Sequence, residues 1–82
     1  MLYLIEYDRE SRRIVRLESF ENSARALADA TRLEIELDLN RRGVQREVVI
    51  LEAAGEDALR QTHRRYFQSF ASIAREAGLS GD

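Results

Sequence analysis

The sequence of 82 residues contains no cysteine, no proline, no tryptophan and no lysine, and its single histidine is His63. These absences narrow the chemistry. Without cysteine there are no disulfides and no thiolate metal sites to reinforce a small core. One imidazole removes most metal-ligand sets, so no metal and no cofactor is expected. The four glycines, Gly43, Gly55, Gly78 and Gly81, stand alone and form no phosphate-cradling loop. No strand–turn–Ser–helix elbow for a nucleophile occurs either. Apolar runs stay far below the ~18 residues of a membrane span. Met1 to Tyr7 is strand-like at once, with no basic stretch leading into an apolar one, so no export signal is read. The expected compartment is the cytoplasm, and no membrane partner is expected.

What is present suits one domain spanning residues 1–82, with 79–82 as a frayed tail. Hydrophobic residues make up 44% and charged residues 34%, which argues for a packed interior under a well-solvated exterior. A chain this short buries only about 60% of its unfolded surface, so self-association is a natural way to add buried area. The net charge is −2, which rules out a uniformly basic nucleic-acid binder. All 13 basic residues are arginine. Arginine forks onto carboxylates and phosphates better than lysine does. A bias in codon usage gives the same composition with no function attached, and composition alone favours that reading.

Leu2 to Tyr7 and Arg12 to Ser19 read as two strands joined by the polar turn Asp8-Arg9-Glu10-Ser11. That loop pairs Leu4 with Val15 and Leu2 with Leu17. Alternation then places Leu2, Leu4, Val15 and Leu17 on a core face and Tyr3, Ile5, Tyr7, Ile14 and Arg16 on the other. Asn22 to Arg41 reads as a helix with Asn22 as N-cap and Gly43 as the C-terminal left-handed residue. Its apolar stripe is Ala24, Leu27, Ala28, Thr31, Ile35 and Leu39, opposite a polar stripe of Arg25, Asp29, Arg32, Glu36 and Asn40. A rival reading exists, because residues 33–39 also alternate as a strand would; the unbroken helical stripe favours helix. Val48-Val49-Ile50-Leu51 reads as a strand apolar on both faces. A last helix is expected from Glu56 to Ala77, with a heptad seam of Leu59, His63, Tyr66, Phe70, Ile73 and Ala77 that buries Tyr66 and Phe70.

These elements predict an α/β (α+β) two-layer sandwich of order ββαβα. Its three-stranded antiparallel sheet has strand order 2-1-3, with both helices on one face. The rival reading of 33–39 gives ββαββα.

The candidate functional groups are few. Glu34 and Asp38, four apart on a helix, suit a cation but more simply form a solvated acidic face. His63, in Thr62-His63-Arg64-Arg65-Tyr66-Phe67, suits a general acid. Its place on the heptad seam favours a structural role, so enzymatic function is not the leading reading. Topology brings Arg9, Arg12 and Arg13 to the same edge as Arg41, Arg42 and Arg46, an edge that suits anion or nucleic-acid binding. The counter-reading is that Arg41 and Arg42 stabilise a helix C-terminus while Asp8 and Glu10 neutralise their neighbours. The sheet face bearing Tyr3, Ile5, Tyr7, Ile14 and Arg16 is apolar and aromatic beyond what a monomer usually exposes. The expectation is therefore a small non-enzymatic module that binds itself as a homodimer or larger through that face. Another protein as partner is the next alternative, and a regulatory nucleic-acid- or phosphate-binding role a further one.

Overall fold

The structure is a computed structural model that describes residues 1–67. The elements follow in the order β1 (Leu2–Asp8), β2 (Arg13–Phe20), α1 (Arg25–Arg42), β3 (Glu47–Glu52) and α2 (Glu56–Thr62). Short 3-10 turns at Asn22–Ala24 and Arg64–Tyr66 precede α1 and follow α2. The sheet is antiparallel with strand order β2-β1-β3, as the sequence predicts. Residues 33–39 lie within α1, so the helical reading of that segment holds. Residues 68–77 of the predicted last helix, with Phe70, Ile73 and Ala77, lie outside the described residues.

β1 sets the architecture. Leu2 through Tyr7 are all buried, so this strand is covered on both faces. On one face Leu4 packs with Ile35 and Leu39 of α1, together with Phe20, Val44, Val48 and Ile50. On the other, Tyr3, Ile5 and Tyr7 form a cluster with Leu59 of α2 and Tyr66 of the following turn, joined by Ile14, Leu17, Val49 and Leu51. The two helices therefore lie on opposite faces, which corrects the expectation that both share one. The cause is in β1 itself: its odd-numbered residues are as apolar as its even-numbered ones, and the chain covers them with its own α2.

The hairpin register also differs from the expected one. Asp8 pairs with Arg13, so the loop is Arg9–Arg12, one residue later than predicted. The Asp8 carboxylate accepts the backbone N–H of Glu10 at 3.0 Å and of Ser11 at 3.5 Å, which folds the turn. Arg12 takes the left-handed conformation that closes it, with φ 57. Leu4 now faces Glu18 and Ile5 faces Leu17. A bulge between Glu6 and Tyr7 leaves Val15 outside the one-to-one pairing, and its side chain is 49% exposed. An odd shift of register exchanges the faces of a strand. Leu17 therefore joins the α2 side, where Ile14 lies beside Tyr7 as expected, while Arg16 lies opposite Glu6 on the α1 side.

α1 begins after a 3-10 turn rather than at an Asn22 side-chain cap. Its C-terminus matches expectation. Gly43 is left-handed, and the Val44 N–H donates to the Leu39 carbonyl at 2.9 Å. Ala28, Ile35 and Leu39 are buried as the stripe predicts, whereas Leu27 points outward with Leu33 and Leu37. α2 stops at Thr62, well short of the predicted length, because the chain turns there to bring Tyr66 over the sheet. Thr62 Oγ1 donates back to the Ala58 carbonyl at 2.9 Å. Tyr66 is buried as predicted, but from a 3-10 turn instead of a heptad seam.

Leu59 is 0% exposed and is the apolar anchor of α2 on the sheet. Leu59→Ala is expected to lower the free energy of unfolding by about 2–5 kcal/mol in a denaturant titration. A loss below about 0.5 kcal/mol, the scale of an ordinary surface substitution, would show that α2 does not cover this face.

Candidate functional site

Three features stand out: a carboxylate hub at Glu47, the arginines of the hairpin end, and the outer edge of β3, which has one neighbouring strand among the described residues.

Glu47 opens β3, opposite Tyr7, and its side chain is only 12% exposed. It accepts hydrogen bonds from the Tyr66 hydroxyl, from Arg9 Nε at 3.1 Å and from Arg65 Nη2 at 2.6 Å. The Arg65 guanidinium lies 4.2 Å from the Tyr66 ring centroid, and the Tyr66 ring meets Tyr7 edge-to-face at 5.1 Å. The Tyr7 hydroxyl donates to the Arg65 carbonyl at 3.4 Å. The hydrogen bond from Tyr66 is the largest influence on Glu47. Aided by the two arginines, it holds the carboxyl below its ordinary value against the opposing effect of burial. Burial, and then the adjacent carboxylate, push the Tyr66 phenol up. The pair is thus a neutral phenol donating to an ionised carboxylate. Its oxygens are engaged by the chain's own donors, so the arrangement acts as a latch that ties the turn after α2 to the start of β3 and to the hairpin loop.

A second carboxylate, Glu6, is buried on the α1 face and accepts from Arg46 Nη1 at 2.5 Å. Arg46 Nε and Glu18 Oε2 are buried without a hydrogen-bond partner. Sequence reasoning misses Glu47, Tyr66 and Glu6 as linked groups. The partners of Glu47 and Glu6 lie 18 to 40 positions away along the chain, and no local pattern signals such pairs.

Of the six arginines of the predicted edge, two meet at one cleft. Arg9 and Arg46 line one cleft of about 570 Å³ with Asn40 and Val44, so the hairpin loop meets the C-terminal end of α1. Carboxylates are interleaved with these cations. Arg9 pairs with Glu47, Arg46 with Glu6, and both Arg41 and Arg42 with Asp38, at 3.5 and 3.0 Å. Arg12 sits in the loop, and Arg13, at the start of β2, is exposed. Asp38 is thus neutralised within its own helix, and Glu34 faces β2 across a groove shared with Val15 and Arg16. His63 caps the end of α2, its N–H donating to the Leu59 carbonyl at 2.9 Å. Among the described residues no group of three or more His, Cys, Asp or Glu is arranged to hold a metal ion. No described helix is long and apolar enough to cross a membrane.

The predicted interface residues are differently placed. Tyr3, Ile5 and Tyr7 are inside the chain's own core, Ile14 packs against that core, and Arg16 lies on the opposite face, 4.0 Å from Glu18. The expected sheet-face interface is thus corrected: α2 and Tyr66 occupy that face. What the sheet presents instead is an edge. Among the described residues β3 has one neighbouring strand, β1. Its run Val48-Val49-Ile50-Leu51 is half-buried throughout, and its pairing with β1 has no irregularity. The other edge, β2, carries a bulge and exposed arginines, the usual devices that discourage further pairing. β3 has neither within its span.

The latch makes a pH-dependent prediction. Because the Glu47 carboxyl is lowered in the folded chain, its stabilisation is fully present above the ordinary value of 4.5 and is lost as pH falls through the folded value. Tyr66→Phe removes the largest lowering influence and is expected to cost about 1.5–3 kcal/mol at pH 7. The same change should move the midpoint of acid unfolding upward. A variant with unchanged stability at pH 7 and an unchanged acid midpoint would show that the hydroxyl does not hold the carboxylate.

Comparison with protein-family models, with curated proteins and with solved structures finds no match to this chain.

Proposed function

We propose that the chain is a small non-enzymatic interaction module that works as a homodimer or larger assembly. The observation that carries this reading is the asymmetry of the two sheet edges. β2 is bulged and arginine-bearing, whereas β3 is regular, apolar on both faces and bounded by one strand among the described residues. An unprotected apolar edge offers backbone donors and acceptors to another strand. A domain of this size also has the most to gain from added buried area. The groups that hint at chemistry support the same reading. Glu47 is satisfied by three donors of its own chain, and His63 ends a helix.

A nucleic-acid-binding role rests on the arginine edge. Arg9, Arg41, Arg42 and Arg46 already lie on carboxylates, so a phosphate there competes with those ion pairs. Such a role entails a steep fall of affinity with salt.

Sedimentation of the purified chain tests the proposal. A dimer or larger species at about ten micromolar is expected, the range in which modest specific interfaces assemble. A monomer throughout that range would refute self-association as the function.

A further inference from the structure

The polar stripe of α1 is the feature left unexplained by the fold. Arg25, Asp29, Arg32 and Glu36 follow one another along one flank as plus, minus, plus, minus, paired within the helix as Arg25–Asp29 at 3.4 Å and Arg32–Glu36 at 2.9 Å. The groove between Glu34, Asp38 and the β2 residues Val15 and Arg16 fixes which way α1 is turned. Its 34/38 flank faces β2. Helical geometry sets positions 25, 29, 32 and 36 on the opposite flank, toward the β3 edge that has no further strand among the described residues.

We infer that two copies of this chain join by pairing β3 with β3 in antiparallel fashion about a two-fold axis perpendicular to the sheet. This joint brings the two α1 helices side by side along the 25/29/32/36 stripe. The inference rests on the self-association proposed above and names its surface.

Three observations converge on it. First, the backbone groups are correctly aimed. The Ala53 N–H donates to the Met1 carbonyl at 3.1 Å, so position 53 hydrogen-bonds toward β1. Alternation along the strand then points the N–H and C=O of Val48, Ile50 and Glu52 away from β1, into the open edge. Second, the spacing fits. α1 packs on β1 and β3, through Leu4, Val48 and Ile50. Strands lie about 4.8 Å apart, so a helix centred between β1 and β3 sits about 5 Å from a two-fold axis at the β3 edge. Two such helices are then about 10 Å apart, the distance at which helices pack. Third, the charges are self-complementary. Turned end for end against itself, the stripe sets Arg25 opposite Glu36 and Asp29 opposite Arg32. A two-fold axis repeats both pairings. Like-signed stripes would repel in this arrangement; the alternating one does not. The result is a continuous six-stranded sheet with both α1 helices on one face.

The test uses the full chain in two charge-reversed forms. One carries Arg25→Glu and Arg32→Glu, so its stripe is wholly acidic. The other carries Asp29→Arg and Glu36→Arg, so its stripe is wholly basic. All four positions are exposed. Each form alone should show its dimer dissociation constant raised by about 100-fold, and an equimolar mixture should restore a dimer. The Ile50 amide should exchange with solvent at least about tenfold faster in the isolated forms than in the wild-type dimer. If the wild-type chain is a monomer, the proposed function and this inference fall together. If the wild-type is a dimer and both reversed forms remain dimers, the inference fails and self-association stands. Reversed forms that dissociate with no change at the Ile50 amide would leave a helix contact without strand pairing and overturn the shared sheet.

Discussion

The structure depends on a central strand that has no side to give to solvent. From Leu2 to Tyr7 each residue of β1 is buried, and the one charge among them, Glu6, is matched by Arg46. A strand of this kind needs a layer on each face. α1 supplies one through Ile35 and Leu39, and α2 with Tyr66 supplies the other through Leu59. Once both faces are covered, a three-stranded sheet has only its edges left to offer. Bulge and arginines mark the β2 edge, and among the described residues the apolar β3 has β1 as its one neighbouring strand.

Among the described residues the second cover is small. α2 has seven residues, below the length at which a helix is stable on its own. Among the described residues, Leu59 in the apolar cluster and the Glu47 latch a short way down the chain hold it. The latch joins three parts of the sequence, since Arg9 comes from the hairpin loop, Glu47 from β3 and Tyr66 from the turn after α2. Buried carboxylates are costly unless satisfied, and this one is satisfied by a phenol and two guanidiniums. The same network accounts for part of the arginine content in the folded chain. At the hairpin end the guanidiniums serve internal carboxylates, as Arg9 and Arg65 do for Glu47 and Arg46 does for Glu6.

The sequence made the element order and the strand order readable, because these rest on local patterns. Period-2 runs marked the strands, Gly43 marked the end of α1, and the apolar character of Leu2 to Tyr7 placed β1 at the centre. It did not reveal what covers the odd-numbered residues of β1. The apolar face of Tyr3, Ile5 and Tyr7 was legible; that its cover comes from Leu59 and Tyr66 of the same chain was not, since a helical seam looks alike whether it packs on its own sheet or on a partner. The hairpin register was lost for a smaller reason. Asp8 looks like a loop residue, yet it pairs with Arg13 while its carboxylate folds the loop, and the bulge at Val15 then exchanges faces along β2. The ion pairs of Arg9 and Arg46 were not readable, because Glu47 and Glu6 are remote from them in sequence.

The central claim is that each chain covers both faces of its own β1. The most direct measurement is an isotope-filtered NOESY experiment on a mixture of labelled and unlabelled protein, which separates contacts within a chain from contacts between chains. The account predicts cross-peaks within one chain from Leu4 to Ile35 and Leu39, and from the Tyr7 ring to Leu59 and the Tyr66 ring, 5.1 Å away. Tyr7 contacts found only between chains would contradict it and return that face of the sheet to the interface.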